Sequence, residues 1–143
     1  MSALDSMVRV HRWMLDEKRR KLVELERFVG RIRDELDALD QQIAQERETA
    51  NRSPYESLAA YAAFHAASKE RRSRLATTVE NLENEVEAAR EEVNEAFREL
   101  KGYESARERA VQRQRDEQSR RDQLSLDETA IGIYRRRSGP RAG

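Results

Sequence analysis

The chain of 143 residues holds two histidines, His11 and His65, and no cysteine. Metal or nucleophilic chemistry would have to begin from those imidazoles. Their positions argue against it. Both fall on an apolar repeat of 3.5 residues, at opposite ends of a helical hairpin expected to be about 70 Å long, so they cannot join in one site within a single chain. A polar residue at such a position more often sets register or pairing than binds metal. The lack of cysteine excludes disulfides, thiol catalysis and cysteine-type zinc sites. There is no glycine-rich phosphate loop, and nothing supplies a concave pocket. The chain therefore reads as a non-enzyme with no cofactor or metal, and its chemistry as recognition of partners.

Three stretches have the residue types for recognition. Residues 58–67 read Leu-Ala-Ala-Tyr-Ala-Ala-Phe-His-Ala-Ala. The repeat points Leu58, Tyr61 and His65 inward and leaves Phe64 at a flanking position. A helix this apolar on every face expects cover. Either Phe64 folds over the edge of the seam, or the stretch is a partner-binding tip built on Tyr61 and Phe64. Near the N-terminus, Met7, Val10, Trp13 and Met14 lie outside the repeat among Arg9, Arg12, Lys18, Arg19, Arg20 and Lys21. An outward Trp among arginines suits a binding hot spot, unless another part of the chain folds back over it. The basic side chains from Arg107 to Arg121, Arg113 among them, could meet an acidic protein or nucleic acid. Glu104, Glu108, Asp116, Glu117 and Asp122 are interspersed, which is the pattern of a solvated helix and disfavours nucleic acid.

The elements that position these stretches are two helices. In the first, the a positions Val8, Leu15, Leu22, Val29, Leu36, Ile43 and Ala50 are all apolar, and four of the d positions Leu4, His11, Lys18, Leu25, Ile32, Leu39 and Glu46 are too. In the second, Leu75, Val79, Leu82, Val86, Ala89, Val93, Ala96, Leu100 and Tyr103 are spaced 4-3 throughout. Both are coiled-coil seams. Ser2 or Asp5 can cap the first helix. Between the helices, Ser53-Pro54-Tyr55-Glu56 combines an N-cap, a proline for the first helical position and a capping-box glutamate. So short a connection implies an antiparallel hairpin. Folding about residue 52 or 53 puts Leu4 near residue 101, close to where the second seam ends.

The fold expected is all-α: a long antiparallel two-helix coiled-coil hairpin with a C-terminal helical overhang. The hairpin covers residues 1–125, with helix 1 at about 4–50 and helix 2 at about 54–123. The overhang is roughly 20 residues, about 30 Å. Residues 126–143, with the apolar cluster Leu124, Leu126, Ile131, Ile133 and Tyr134 around their start and Arg135 to Arg137 after it, read as a flexible basic tail.

Bulk composition agrees with a coiled coil. Charged residues make up 39% and hydrophobic ones 37%, enough for a narrow seam but not for a thick core. The formal net charge is zero: −1 over residues 1–50, −2 over 51–103 and +3 over 104–143, so there is no strong field for nucleic acid or membrane. No apolar run is long enough to span a bilayer, and no secretory signal is visible. A soluble cytoplasmic protein is expected.

The N-terminal block Met7-Val8-Arg9-Val10-His11-Arg12-Trp13-Met14-Leu15-Asp16-Glu17-Lys18-Arg19-Arg20-Lys21 resembles the start of the flagellar export protein family FliJ, in its alphaproteobacterial form. Tyr61-Ala62-Ala63-Phe64 is similar to the aromatic pair that opens that family's second helix. The stretch Glu95-Ala96-Phe97-Arg98-Glu99-Leu100-Lys101 and the tail Leu126-Asp127-Glu128-Thr129-Ala130 also resemble it. The resemblance implies a component of the flagellar type III export apparatus, an antiparallel coiled coil similar to the central stalk of rotary ATPases. It implies that the paired helix termini enter the hexameric export ATPase and promote its assembly or activity. Arg9, Arg12, Trp13, Arg107 and Arg113 are the residues expected there. The protein would also link the ATPase to the cytoplasmic domain of the membrane export gate, through Tyr61 and Phe64, and bind export chaperones. The polar Ser68 and Arg71 depart from the family's gate-contact pattern. Location would be cytoplasmic, at the inner membrane of the basal body through partners only. Two other functions fit the same residues: a scaffolding coiled coil that self-associates, and a nucleic-acid-associated coiled coil using Arg107–Arg121 and Arg135–Arg137.

Overall fold

The computed structural model describes residues 3–52 and 57–139. It consists of α1 (Ala3–Arg52) and α2 (Ser57–Ser138), packed as a hairpin, with no strand among the described residues. The chain clusters into two units, His11–Arg98 and Met1–Val10 with Glu99–Gly143.

The seams behave as their spacing requires. Every a position of α1 is at least half-buried, with Val8, Leu15 and Val29 exposed by only 1%, 3% and 4%. The d positions follow, apart from Glu46, which is exposed. All nine seam positions of α2 from Leu75 to Tyr103 are covered, and Val86, Ala89, Ala96 and Leu100 are fully buried. Removing such side chains from water is the main favourable term in holding two helices together.

In the unit His11–Arg98, charged side chains flanking the seam cross between the helices. Lys18 Nζ donates to Glu92 Oε2 at 3.2 Å, and Arg72 binds Asp40 through two nitrogens, at 2.6 and 3.4 Å. Arg33 pairs with Glu83, and Arg90 lies 3.7 Å from Glu26. All are about half-exposed, so each contributes little to stability; together they discriminate one register from its neighbours. The hydrogen bond from Arg72 to Asp40, and then the charge attraction, raise the arginine pKa. That contribution is present below the ordinary arginine value and is lost only as pH rises through the raised one, so it is constant around neutrality.

These pairs correct the expected register. Folding about residue 52 or 53 puts Lys18 opposite residue 87 and Asp40 opposite residue 65. The observed partners, Glu92 and Arg72, lie five and seven residues further along α2. In the other unit, Asp5 meets Arg107 at 3.9 Å instead of a residue near 100. The capping signal at Ser53, Pro54 and Glu56, from which the fold point was read, lies outside the described residues, as do Ser2 and Pro140. Asp5 lies inside the first turn of α1, as a favourable acidic residue and not as its cap.

A second correction concerns the start of α2. Leu58 and His65, expected inward, are exposed, whereas Tyr61, Phe64 and Ser68 are half-buried or buried. Tyr61, Ser68 and Leu75 keep the heptad, but the intervening inward position passes from His65 to its neighbour Phe64. Burying a phenyl ring is favourable and burying an imidazole is not.

Beyond Ala110, α2 continues to Ser138, past the end expected near residue 123 and the boundary expected at residue 125. Residues 111–131 are all exposed. The helix is carried here by its own residue types and by i,i+4 pairs. Gln112 donates to Asp116 at 3.0 Å, Arg121 to Glu117 at 2.8 Å and Gln118 to Asp122 at 3.1 Å. Each such pair is worth about 0.2–0.5 kcal/mol. Arg135, Arg136 and Arg137 in the last turn complement the helix dipole.

Candidate functional site

In the unit His11–Arg98, the first candidate surface is the start of α2. Tyr61 and Phe64 are half-buried, one turn apart, with the Tyr61 ring 5.8 Å from that of His65. Ala59, Ala60, Ala62, Ala63, Ala66 and Ala67 around them are all exposed. The result is a shallow apolar surface with two aromatic edges. Its chemistry is van der Waals contact with another apolar surface, because alanine offers neither charge nor hydrogen bonds.

The second surface in that unit is on α1. Trp13 is 64% exposed, with Arg12 exposed beside it, while Met14 is half-buried. The indole combines a large apolar body with one N–H donor, and such a residue left open on a surface suits contact with a partner. No described cluster of three or more His, Asp or Glu residues could hold a metal ion.

In the unit Met1–Val10 with Glu99–Gly143, the start of α1 meets α2 and ends. Arg107 pairs with Asp5, Arg9 is exposed, and Arg113 lines an open hollow of about 450 Å³ with Leu4, Ala106, Arg109 and Gln112. Leu4 and Ala106 supply the apolar floor, and the two arginines supply the charge. Leu4, Ala106, Arg109 and Gln112 were not expected there. The signal was Ala110, an apolar residue on the continuing seam register two turns beyond the position where the pattern was taken to end. Ala110 is half-buried, as is Arg107.

Past this hollow, Val111, Leu124, Leu126, Ile131, Ile133 and Tyr134 are between 41% and 71% exposed. Five of these six fall within residues 124–134. The sequence-expected set is thus brought together in part. Tyr61 and Phe64 share a surface, as do Arg12 and Trp13; Arg107 and Arg113 lie with Arg9 in the other unit.

An antiparallel two-helix coiled coil is the form implied by the resemblance of the N-terminal block. The family model for the flagellar FliJ protein matches residues 1–139. The chain belongs to the FliJ family. No curated protein and no solved structure matches it. The match takes in the N-terminal block, both seams and the exposed end of α2. Membership makes this a coiled coil of flagellar protein export. It is consistent with described surfaces suited to contact with proteins, and with no described helix long and apolar enough to cross a membrane.

Proposed function

We propose that this FliJ-family chain is the stalk of the flagellar export ATPase. The exposed end of α2 and the start of α1 enter the hexameric ATPase and promote its assembly or activity. Arg107, Arg113 and Arg9 make that contact from one unit, and Arg12 and Trp13 from the other. Tyr61 and Phe64 contact the cytoplasmic domain of the export gate, and export chaperones are further partners. The chain itself catalyses nothing. It works in the cytoplasm, held at the inner membrane through its partners.

One observation carries this reading: α2 extends 28 residues past Ala110 with its apolar side chains uncovered. A charged helix of that length gains little from propensity alone. It is suited to a site that encloses it, where its ordered backbone lowers the entropy cost of binding. The tip is suited to a different partner, because its alanines and aromatics carry none of the charge of the arginine-rich end.

Adding the purified chain to the cognate export ATPase should raise hydrolysis or ring assembly. Trp13→Ala should weaken that effect, while Phe64→Ala should leave it intact and weaken capture of the gate's cytoplasmic domain. Unchanged hydrolysis, no complex and normal motility after deletion of the gene would overturn the proposal.

A further inference from the structure

The uncovered end of α2 is complementary to itself. Residues 110–138 span four heptads, and their midpoint is Leu124. On the N-terminal side of the midpoint stand two adjacent basic residues, Arg120 and Arg121. At the same distance on the C-terminal side stand two adjacent acidic residues, Asp127 and Glu128. We infer that two copies of this chain pair antiparallel through residues 111–138.

The charge pattern selects the direction. In a parallel pair, arginines would face arginines and carboxylates would face carboxylates, and both contacts repel. In an antiparallel pair about the midpoint, Arg120 and Arg121 of each copy face Asp127 and Glu128 of the other, and two-fold symmetry makes the contact twice. Leu124, 57% exposed in the single chain, meets its own counterpart at the centre. Ile131, seven residues on and 51% exposed, lies over the aliphatic stems of Glu117 and Gln118 of the other copy. Among the described residues, neither Arg120 nor Glu128 has a hydrogen bond or ion pair to give up. Arg121 has only its exposed i,i+4 contact to Glu117, and Asp127 only a 3.3 Å bond from Gln123.

The ends fit less well. Arg113 of one copy faces Arg135 and Arg136 of the other, relieved in part by stacking on Tyr134. With a single fully apolar layer at the centre, the dimer is weak and is weakened further by salt. Asp127 lies on the same stripe as Leu124 and Ile131, which argues for a protein helix as the occupant and against a lipid surface. The inference stands independently of the ATPase reading, since it uses only the complementarity of one segment with itself.

The test is sedimentation equilibrium of the full chain at low salt. Self-association is expected, weakened about tenfold or more by Leu124→Asp. Arg120→Glu with Arg121→Glu, and separately Asp127→Arg with Glu128→Arg, should each abolish it, and an equimolar mixture of the two double variants should restore it. Because the chain has no cysteine, Val111→Cys and Arg137→Cys chains can be mixed and oxidised; a cross-link between position 111 of one copy and 137 of the other is expected. Arg135→Ser with Arg136→Ser should strengthen pairing. A wild-type chain that stays monomeric up to roughly 1 mM, failure of the mixed charge variants to associate, or a predominant 111-to-111 cross-link would overturn the inference. So would binding to anionic lipid vesicles by a chain that does not self-associate.

Discussion

The seam between Leu15 and Ala96 and the bare stretch from Val111 to Ser138 are both α-helix, yet different physics maintains them. In the first, Leu15, Val29, Leu39, Val86, Ala89 and Ala96 are exposed by 8% or less, and tertiary burial holds the helices. In the second, no residue is buried and the helix rests on propensity and exposed i,i+4 pairs. The difference separates two tasks. A buried seam resists change and so serves as a shaft, whereas a helix whose apolar residues remain uncovered has its binding energy still available.

That contrast can be broken by substitution. Leu39→Ala, at a site 5% exposed, should destabilise by about 2–4 kcal/mol, read as a lower midpoint in urea. Leu124→Ala, at a site 57% exposed, should move the midpoint by less than about 0.5 kcal/mol in dilute solution. Equal effects would mean that the stretch beyond Ala110 is not a separate regime.

Gly30 sharpens the comparison from the other side. It sits within α1, and a Cβ added there would meet nothing within 4 Å. Gly30→Ala should therefore stabilise by up to about 1 kcal/mol, through helix propensity alone. A loss of stability would show that the backbone at Gly30 is approached by something in solution.

Smaller still is the effect expected of Arg72→Ala. Its bond to Asp40 is exposed, so the melting midpoint should hardly move, and the difference between variant and parent should be constant between pH 6 and 9. A pH-dependent difference in that range would indicate coupling to a group other than Asp40.

Much of this was legible in the residues. The a positions from Val8 to Ala50 and the 4-3 spacing from Leu75 to Tyr103 required two facing helices, because each apolar seam needs another opposite it. Register was harder. Pairs such as Lys18 with Glu92 and Asp40 with Arg72 come from flanking positions, and many charged residues occupy such positions with near-equal merit. The exchange of His65 for Phe64 at the tip follows from which neighbour is better buried, which a strict repeat does not encode. The run of α2 to Ser138 was obscured by Arg107, Gln114, Glu117 and Arg121 on the seam. The pattern ends there because the partner helix ends, and the helix itself does not. Tyr61, Phe64, Arg9, Arg12, Trp13, Arg107 and Arg113 were nominated by residue type and resemblance. What each touches in a complex depends on surfaces that this chain does not contain.

Hydrogen exchange on the dilute full chain, with and without the cognate export ATPase, tests the central claim most directly. Alone, amides from His11 to Arg98 should be protected on the seam and those from 111 to 138 should exchange quickly. With the ATPase, residues 111–138 and the neighbourhood of Arg107 should become protected, while the tip around Tyr61 and Phe64 should not change. Protection appearing only at the tip, or nowhere, would contradict the assignment of the bare end of α2 to the ATPase.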